Sequence, residues 1–370
     1  MHITIPSLIL NKAIAVNNIS RIKAKADRNG CKLRPHVKTH QSAEIGKWFK
    51  AEGIESCAVS SMQMASYFAK AGWSDITVAF PFNILEINKA EQLASTIDLN
   101  ICIESIEVAN FITAHITHQI GVFVEVDAGY YRSGISANDF DTIDQMLTAI
   151  KQNRLLKFKG FQQHAGHTYH ATNQSEVLKI HQETTALTSR LKERFKDEYP
   201  DLIISNGDTP TASICEDFEA INELRPGNFI FYDIMQALIG SCQYEDIAVA
   251  MACPVVAKYP ERSEIVVYGG AVHFSKDYIT AKEGHKLFGL VAKPDAIDKG
   301  WSAPIKGAYL KKLSQEHGTI HATPDLLKDV KLGDMLYCLP IHSCLTANLM
   351  KGYLTTEGKR INMFTYDQFD

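Results

Sequence analysis

At 370 residues the chain is longer than one hydrophobic core usually supports, which predicts two domains. Hydrophobic residues make up 45% and charged residues 22%, as in ordinary globular proteins, and a net charge of -4 offers no basic surface to nucleic acid or an anionic membrane. No apolar run reaches the length of a membrane span, and Met1-His2-Ile3-Thr4-Ile5-Pro6 has neither the basic start nor the long apolar stretch of a secretion signal; a cytoplasmic protein is expected. The eight cysteines are scattered without a Cys-x-x-Cys pair, which argues against a disulfide framework and a structural zinc module. Only Cys344 has neighbours that point to chemistry.

From about residue 30 to 235, short β-branched runs alternate with helical patterns. Strands are predicted at Lys32–Val37, Ser56–Val59, Asp75–Phe80, Leu99–Ile103, Ile120–Val126, Phe158–Gln163, Leu202–Ser205 and Phe229–Tyr232. Helices are predicted at Ser42–Glu52, Ser61–Ala71, Ile84–Ser95, Ser105–Ile116, Ala137–Gln152 and Gln174–Lys196. Eight strands with intervening helices fit an α/β fold, a (β/α)8 TIM barrel over residues 11–240, better than an open doubly wound sheet. From residue 241 to 370 strands follow one another without helices, at Ala248–Lys258, Ser263–Tyr268 and Lys331–Cys338, which predicts a smaller, mainly antiparallel β domain.

Active sites of such barrels sit at the carboxyl ends of the strands, and the chemically suggestive residues cluster there. Lys38 ends the first strand between His36 and His40; burial and nearby cations lower an ammonium pKa, and a neutral amine can form a Schiff base with an aldehyde. Asp127 to Arg132 follow the fifth strand, where Arg132 offers a planar fork to a cofactor ring or a carboxylate, or pairs with Asp127. His164-Ala165-Gly166-His167-Thr168-Tyr169-His170 follow the sixth, with Tyr169 and His170 chosen for acid–base or supporting roles. After the seventh, Asn206 to Thr211 combine Gly207, which admits close approach, the hydroxyls of Thr209 and Thr211, and a proline opening a helix whose amides favour an anion. Gly227, Asn228 and Tyr232 would add backbone amides and a phenol to the same phosphate cradle. His342 and Cys344, two apart in an extended segment, project to one side and can share an ion; nitrogen with sulfur suits zinc and leaves positions open.

Pro35-His36-Val37-Lys38-Thr39-His40 resembles the pyridoxal-phosphate lysine motif of the D-serine dehydratase and D-threonine aldolase family, whose fold is that of alanine racemase. Asp127-x-Gly129-x-x-Arg132-x-Gly134, Ser205 to Thr211, Glu223 to Asn228 and Pro340 to Thr346 resemble further family motifs, in the family's order and over nearly the whole chain. The resemblance implies pyridoxal 5'-phosphate on Lys38, with His36, Arg132, Gly207, Thr209, Gly227, Asn228 and Tyr232 around it, and Zn2+ or another divalent metal on His342 and Cys344. It also implies that residues 1–10 pack with the second domain, and that the chain forms a homodimer. One departure is Ile341, where the family commonly has asparagine before the histidine. Cysteine at 344, where the aldolases usually carry aspartate, favours a dehydratase acting on a small β-hydroxy-D-amino acid such as D-serine or D-threonine to give a 2-oxo acid and ammonia. The alternative is a D-threonine aldolase with His170 taking the hydroxyl proton; a racemase or a non-catalytic pyridoxal-phosphate carrier fits less well.

Overall fold

The computed structural model describes residues 3–281, 283–295 and 300–366. Two compact units divide the chain at Lys38/Thr39 and Gly227/Asn228: Ser20–Lys38 with Gly46–Gly227 form one, and the segment up to Ile19, Thr39–Ile45 and Asn228–Thr365 form the other.

The first unit is a barrel of eight parallel strands. Lys32–Leu33, Glu223–Leu224, Ile203–Asn206, Leu156–Gln163, Ile120–Asp127, Asp98–Ile103, Asp75–Pro81 and Ser56–Val59 are neighbours in that order, and a parallel bridge from His36 to Ala58 closes the ring. The strands are runs of Val, Ile, Phe and Cys because both of their faces are covered, and Val122, Val124, Phe161 and Ile204 are wholly buried. Local signals start the intervening helices: Ser61, Ser105, Asp139 and Asn173 each accept the amide three residues on. Gly160 has φ 137°, and a Cβ there would stand 2.0 Å from the Ile203 carbonyl oxygen, so glycine lets the neighbouring strand close in.

Two predicted barrel strands need correction. Phe229–Tyr232 is not the eighth barrel strand: Asn228–Ile230 forms a 3-10 turn, and the two-residue Glu223–Leu224 completes the barrel. The run Phe229 to Tyr232 is apolar because all four residues are buried, and burial alone does not distinguish strand from turn. The first strand shortens to Lys32–Leu33 because Pro35 has no N–H to donate, although Arg34, His36 and Val37 still donate to Leu224, Pro226 and Ala58 carbonyls.

A chain of charged and polar groups runs through this barrel. Asp75 accepts from Arg34 at 2.6 Å, Arg34 Nε donates to Glu223 at 2.7 Å, and Ser205 Oγ donates to Glu223 at 2.6 Å while accepting from Arg225 Nε at 2.6 Å. Arg34, Glu223, Ser205 and Arg225 are all buried, so each charge must find its partner inside the protein.

In the second unit six antiparallel strands close on themselves: Val249–Tyr259, Glu264–Tyr268, His317–His321, Tyr309–Leu313, Gly289–Ala292 and Met335–Pro340, which returns to Val249–Tyr259. Ser7–Leu10 pairs antiparallel with Val249–Tyr259, as expected for the amino-terminal segment, and Gly352–Thr355 lies parallel on its other side. Among the described residues no helix is long and apolar enough to cross a membrane.

Candidate active site

In the barrel unit the motif residues gather at the strand ends. His36 is buried at the closing bridge, and its Nδ1 accepts the Lys38 amide at 3.4 Å. The Lys38 side chain is exposed, whereas a strand-end lysine in this motif was expected to be buried; its charge nevertheless acts on His36 and His164. Burial, reinforced by Lys38, Arg225 and Arg132, holds both imidazoles well below the ordinary histidine range, so they stay neutral at pH 7.

Arg132 does not pair with Asp127. The Asp127 carboxylate accepts the amides of Gly129, Tyr130 and Tyr131 at 2.9 to 3.1 Å and so shapes the loop, while the exposed Arg132 guanidinium lies 5.5 Å from the Tyr130 ring centre. Glu125, Arg132, Ser133 and His164 line one small recess, leaving the arginine fork available for an anion.

The phosphate-loop residues take a different arrangement from the expected row of free amides. Asp208 caps the helix Thr209–Ile214 by accepting the Thr211 amide at 2.7 Å, and the Tyr169 hydroxyl accepts the Thr209 amide at 3.2 Å. What is left is the pair of hydroxyls: Thr209 Oγ1 and Thr211 Oγ1 are buried without a hydrogen-bond partner. Gly207 lies against Arg225, for a Cβ on it would stand 2.8 Å from the guanidinium. Gly227 is half-buried in the loop that follows Glu223–Leu224. His170 sits exposed at the end of the turn Gly166–His170, while His164, directly at the strand end, joins the cluster.

In the second unit His342 and Cys344 come together, though not through an extended segment. His342 is the N-cap of the helix Ser343–Met350 and Cys344 its second residue, close enough for each to act on the other's charge. Thr39 Oγ1 lies 3.3 Å and Asn228 Nδ2 3.4 Å from Cys344 Sγ. Burial raises the thiol pKa, but the neighbouring His342 and the Thr39 hydroxyl outweigh it and bring it below the ordinary value. Burial likewise opposes charge on His342, yet Asp277 and Cys344 lift it to about 11. Buried Asp233 accepts from Asn228 Nδ2 at 2.6 Å and from the Ser343 amide at 3.0 Å, which aims Asn228 at the sulfur. Tyr232, fully buried, holds φ 48°, a backbone strain sustained as its N–H donates to the Asn228 carbonyl. Among the described residues no group of three or more His, Cys, Asp and Glu side chains is disposed to hold a metal ion.

Two family models account for most of the chain: the alanine racemase N-terminal domain matches residues 11–234, and the putative serine dehydratase domain matches residues 248–356. The chain belongs to the D-serine dehydratase and D-threonine aldolase family. This family is pyridoxal-phosphate dependent and shares the fold of alanine racemase, a TIM barrel with an antiparallel β domain. The D-serine dehydratase of Dictyostelium discoideum is 27% identical, with 98% of this chain and 96% of that protein covered. The solved structure of D-threo-3-hydroxyaspartate dehydratase from Delftia sp. HT23 superposes with a TM-score of 0.87 at 25% identity, covering 98% of each chain, and a cysteine-to-alanine variant of that enzyme is known in a metal-free form. The D-threonine aldolase of Arthrobacter sp is 23% identical over 94% of this chain and 87% of that protein.

Several residues of these clusters escape a reading of single motifs. His164 carries a signal, since it is the first residue after its strand Leu156–Gln163. Arg225 lies inside a family motif, but the bonds that fix it, to Ser205 and to the Gln163 carbonyl, have no sequence mark. Asp233 and Asp277 reach their partners across 110 and 65 positions, beyond any periodicity.

Proposed function

We propose that this chain is a pyridoxal-phosphate- and divalent-metal-dependent dehydratase that converts a β-hydroxy-D-amino acid such as D-serine or D-threonine to a 2-oxo acid and ammonia. The observation that carries this reading is the Cys344 sulfur, approached by His342, Thr39 and Asn228 and so held toward the thiolate, the form that binds zinc.

The barrel residues fit the cofactor. Thr209 and Thr211 supply buried hydroxyls in want of an acceptor, and Gly207, without a Cβ, lets the Arg225 guanidinium pack against the loop. Tyr169 fits a structural role on the Thr209 amide better than an acid–base one. Bound through Lys38, the cofactor supplies an electron sink for the pair left at Cα when its proton departs. The Lys38 amine is the base for that proton. Arg132 binds the substrate carboxylate with its planar fork, and Arg225, clamped by Ser205 and the Gln163 carbonyl, keeps a fixed positive charge in the barrel. His342 and Cys344 fit a soft divalent ion, zinc by preference, with Asn228 serving the sulfur more directly than the phosphate. That ion supplies Lewis acidity that makes the β-hydroxyl a better leaving group. The reading includes a homodimer, as the family resemblance implies, which light scattering would check.

Lys38→Ala is expected to lower turnover at least about a thousandfold and to abolish the visible absorbance of the bound cofactor. A rate within tenfold of the wild type overturns the role of Lys38.

A further inference from the structure

An imidazole that binds an ion with one nitrogen needs its other nitrogen held, or the ring can present the wrong tautomer. In this chain the second nitrogen is taken. Asp277 Oδ2 lies 2.9 Å from His342 Nδ1, and among the described residues no other side chain is bonded to that carboxylate. The approach is built from two sides. Asp277 follows the short helix Ala271–Phe274, its own amide donates to Ser275 Oγ at 3.2 Å, and Ser275 takes φ 72° to turn the chain. The helix that begins after His342 is tied to the same stretch, because Thr346 Oγ1 donates to the Phe274 carbonyl at 3.3 Å. An exposed pair of this kind adds little to stability, since both side chains are a third or more open to water, at 33% and 39%. Its effect is therefore to be sought in the orientation of the ring.

We propose that Asp277 is a positioning residue for the metal: by accepting from Nδ1 of His342 it fixes the tautomer that turns Nε2 to the ion and makes that nitrogen a stronger donor. The cysteine arm is held separately, by Thr39 and by Asn228 under Asp233. Removing Asp277 should thus loosen one ligand and leave the other. The inference rests on the proposed ion site at His342 and Cys344.

The test is a zinc titration of the purified protein against a chromophoric chelator, for wild type, Asp277→Asn and Asp277→Glu, with the melting temperature of each measured without added metal. Wild type should bind one zinc per chain, Asp277→Asn should bind it about 10- to 100-fold more weakly with an unchanged melting temperature, and Asp277→Glu should return to within a few-fold of wild type. Equal zinc affinity in wild type and Asp277→Asn overturns the inference while leaving the ion site intact. A wild type that binds no zinc overturns the ion site itself. Should Asp277→Asn melt earlier, Asp277→Glu decides: a well-folded glutamate variant that binds as weakly as the asparagine variant contradicts a role for the carboxylate.

Discussion

Lys38, His36 and His164 show how position in a barrel sets the chemistry of a side chain. All three lie at or just past a strand end, where Lys38, Arg225 and Arg132 bring several positive charges near two imidazoles. Burial comes first and the cations second in keeping His36 and His164 neutral. A histidine with a lowered folded pKa takes up its proton more readily when the chain unfolds. It therefore favours the native state above the unfolded pKa of about 6.5, and that contribution is lost as pH falls below it. We expect two histidine ring signals that do not shift in an NMR titration from about pH 8 to about 5.5, identified by their absence from His36→Gln and His164→Gln. Ring signals that titrate near the ordinary value would contradict the assignment. The strand-end residues were legible in the sequence because a parallel barrel confines its chemistry to one rim. The loop after the sixth strand marks the limit of that legibility: three imidazoles share it, and only the fold sets His164 in the cluster and leaves His170 exposed at the end of the turn.

Among the elements, the parallel strands and their helices follow from apolar runs and capping residues, and most barrel strands lie within a residue or two of their predicted bounds. The second unit was far less legible. Strands such as Tyr309–Leu313 and His317–His321 are short and mix lysine, histidine and threonine with their buried residues, so alternation is weak, and their pairing is set by partners distant in the chain. Within the barrel, Gly160→Ala should destabilise the protein by about 2 kcal/mol or more, because the new methyl group meets the Ile203 backbone in a conformation already unfavourable for it. Chemical denaturation would measure this, and a loss below about 0.5 kcal/mol would contradict the close strand approach. Glu223→Ala leaves Arg34 without its buried partner and frees Ser205, and is expected to cost about 3–5 kcal/mol. A variant as stable as wild type would mean that the chain of bonds from Asp75 to Arg225 is not under tension of charge.

For the molecule as a whole, two independent sets of residues point to one reaction class. On the proposed reading the barrel would supply a lysine, the hydroxyls of a phosphate loop and an arginine fork, and the β domain an imidazole and a thiol held toward its anion. The measurement that tests this account most directly is product analysis by NMR after incubating the purified protein with pyridoxal phosphate, zinc and D-threonine, with and without a chelator. The account predicts 2-oxobutyrate and ammonia, with product formation lost on metal removal while the cofactor absorbance remains. Glycine and acetaldehyde in their place would contradict it and make the chain an aldolase.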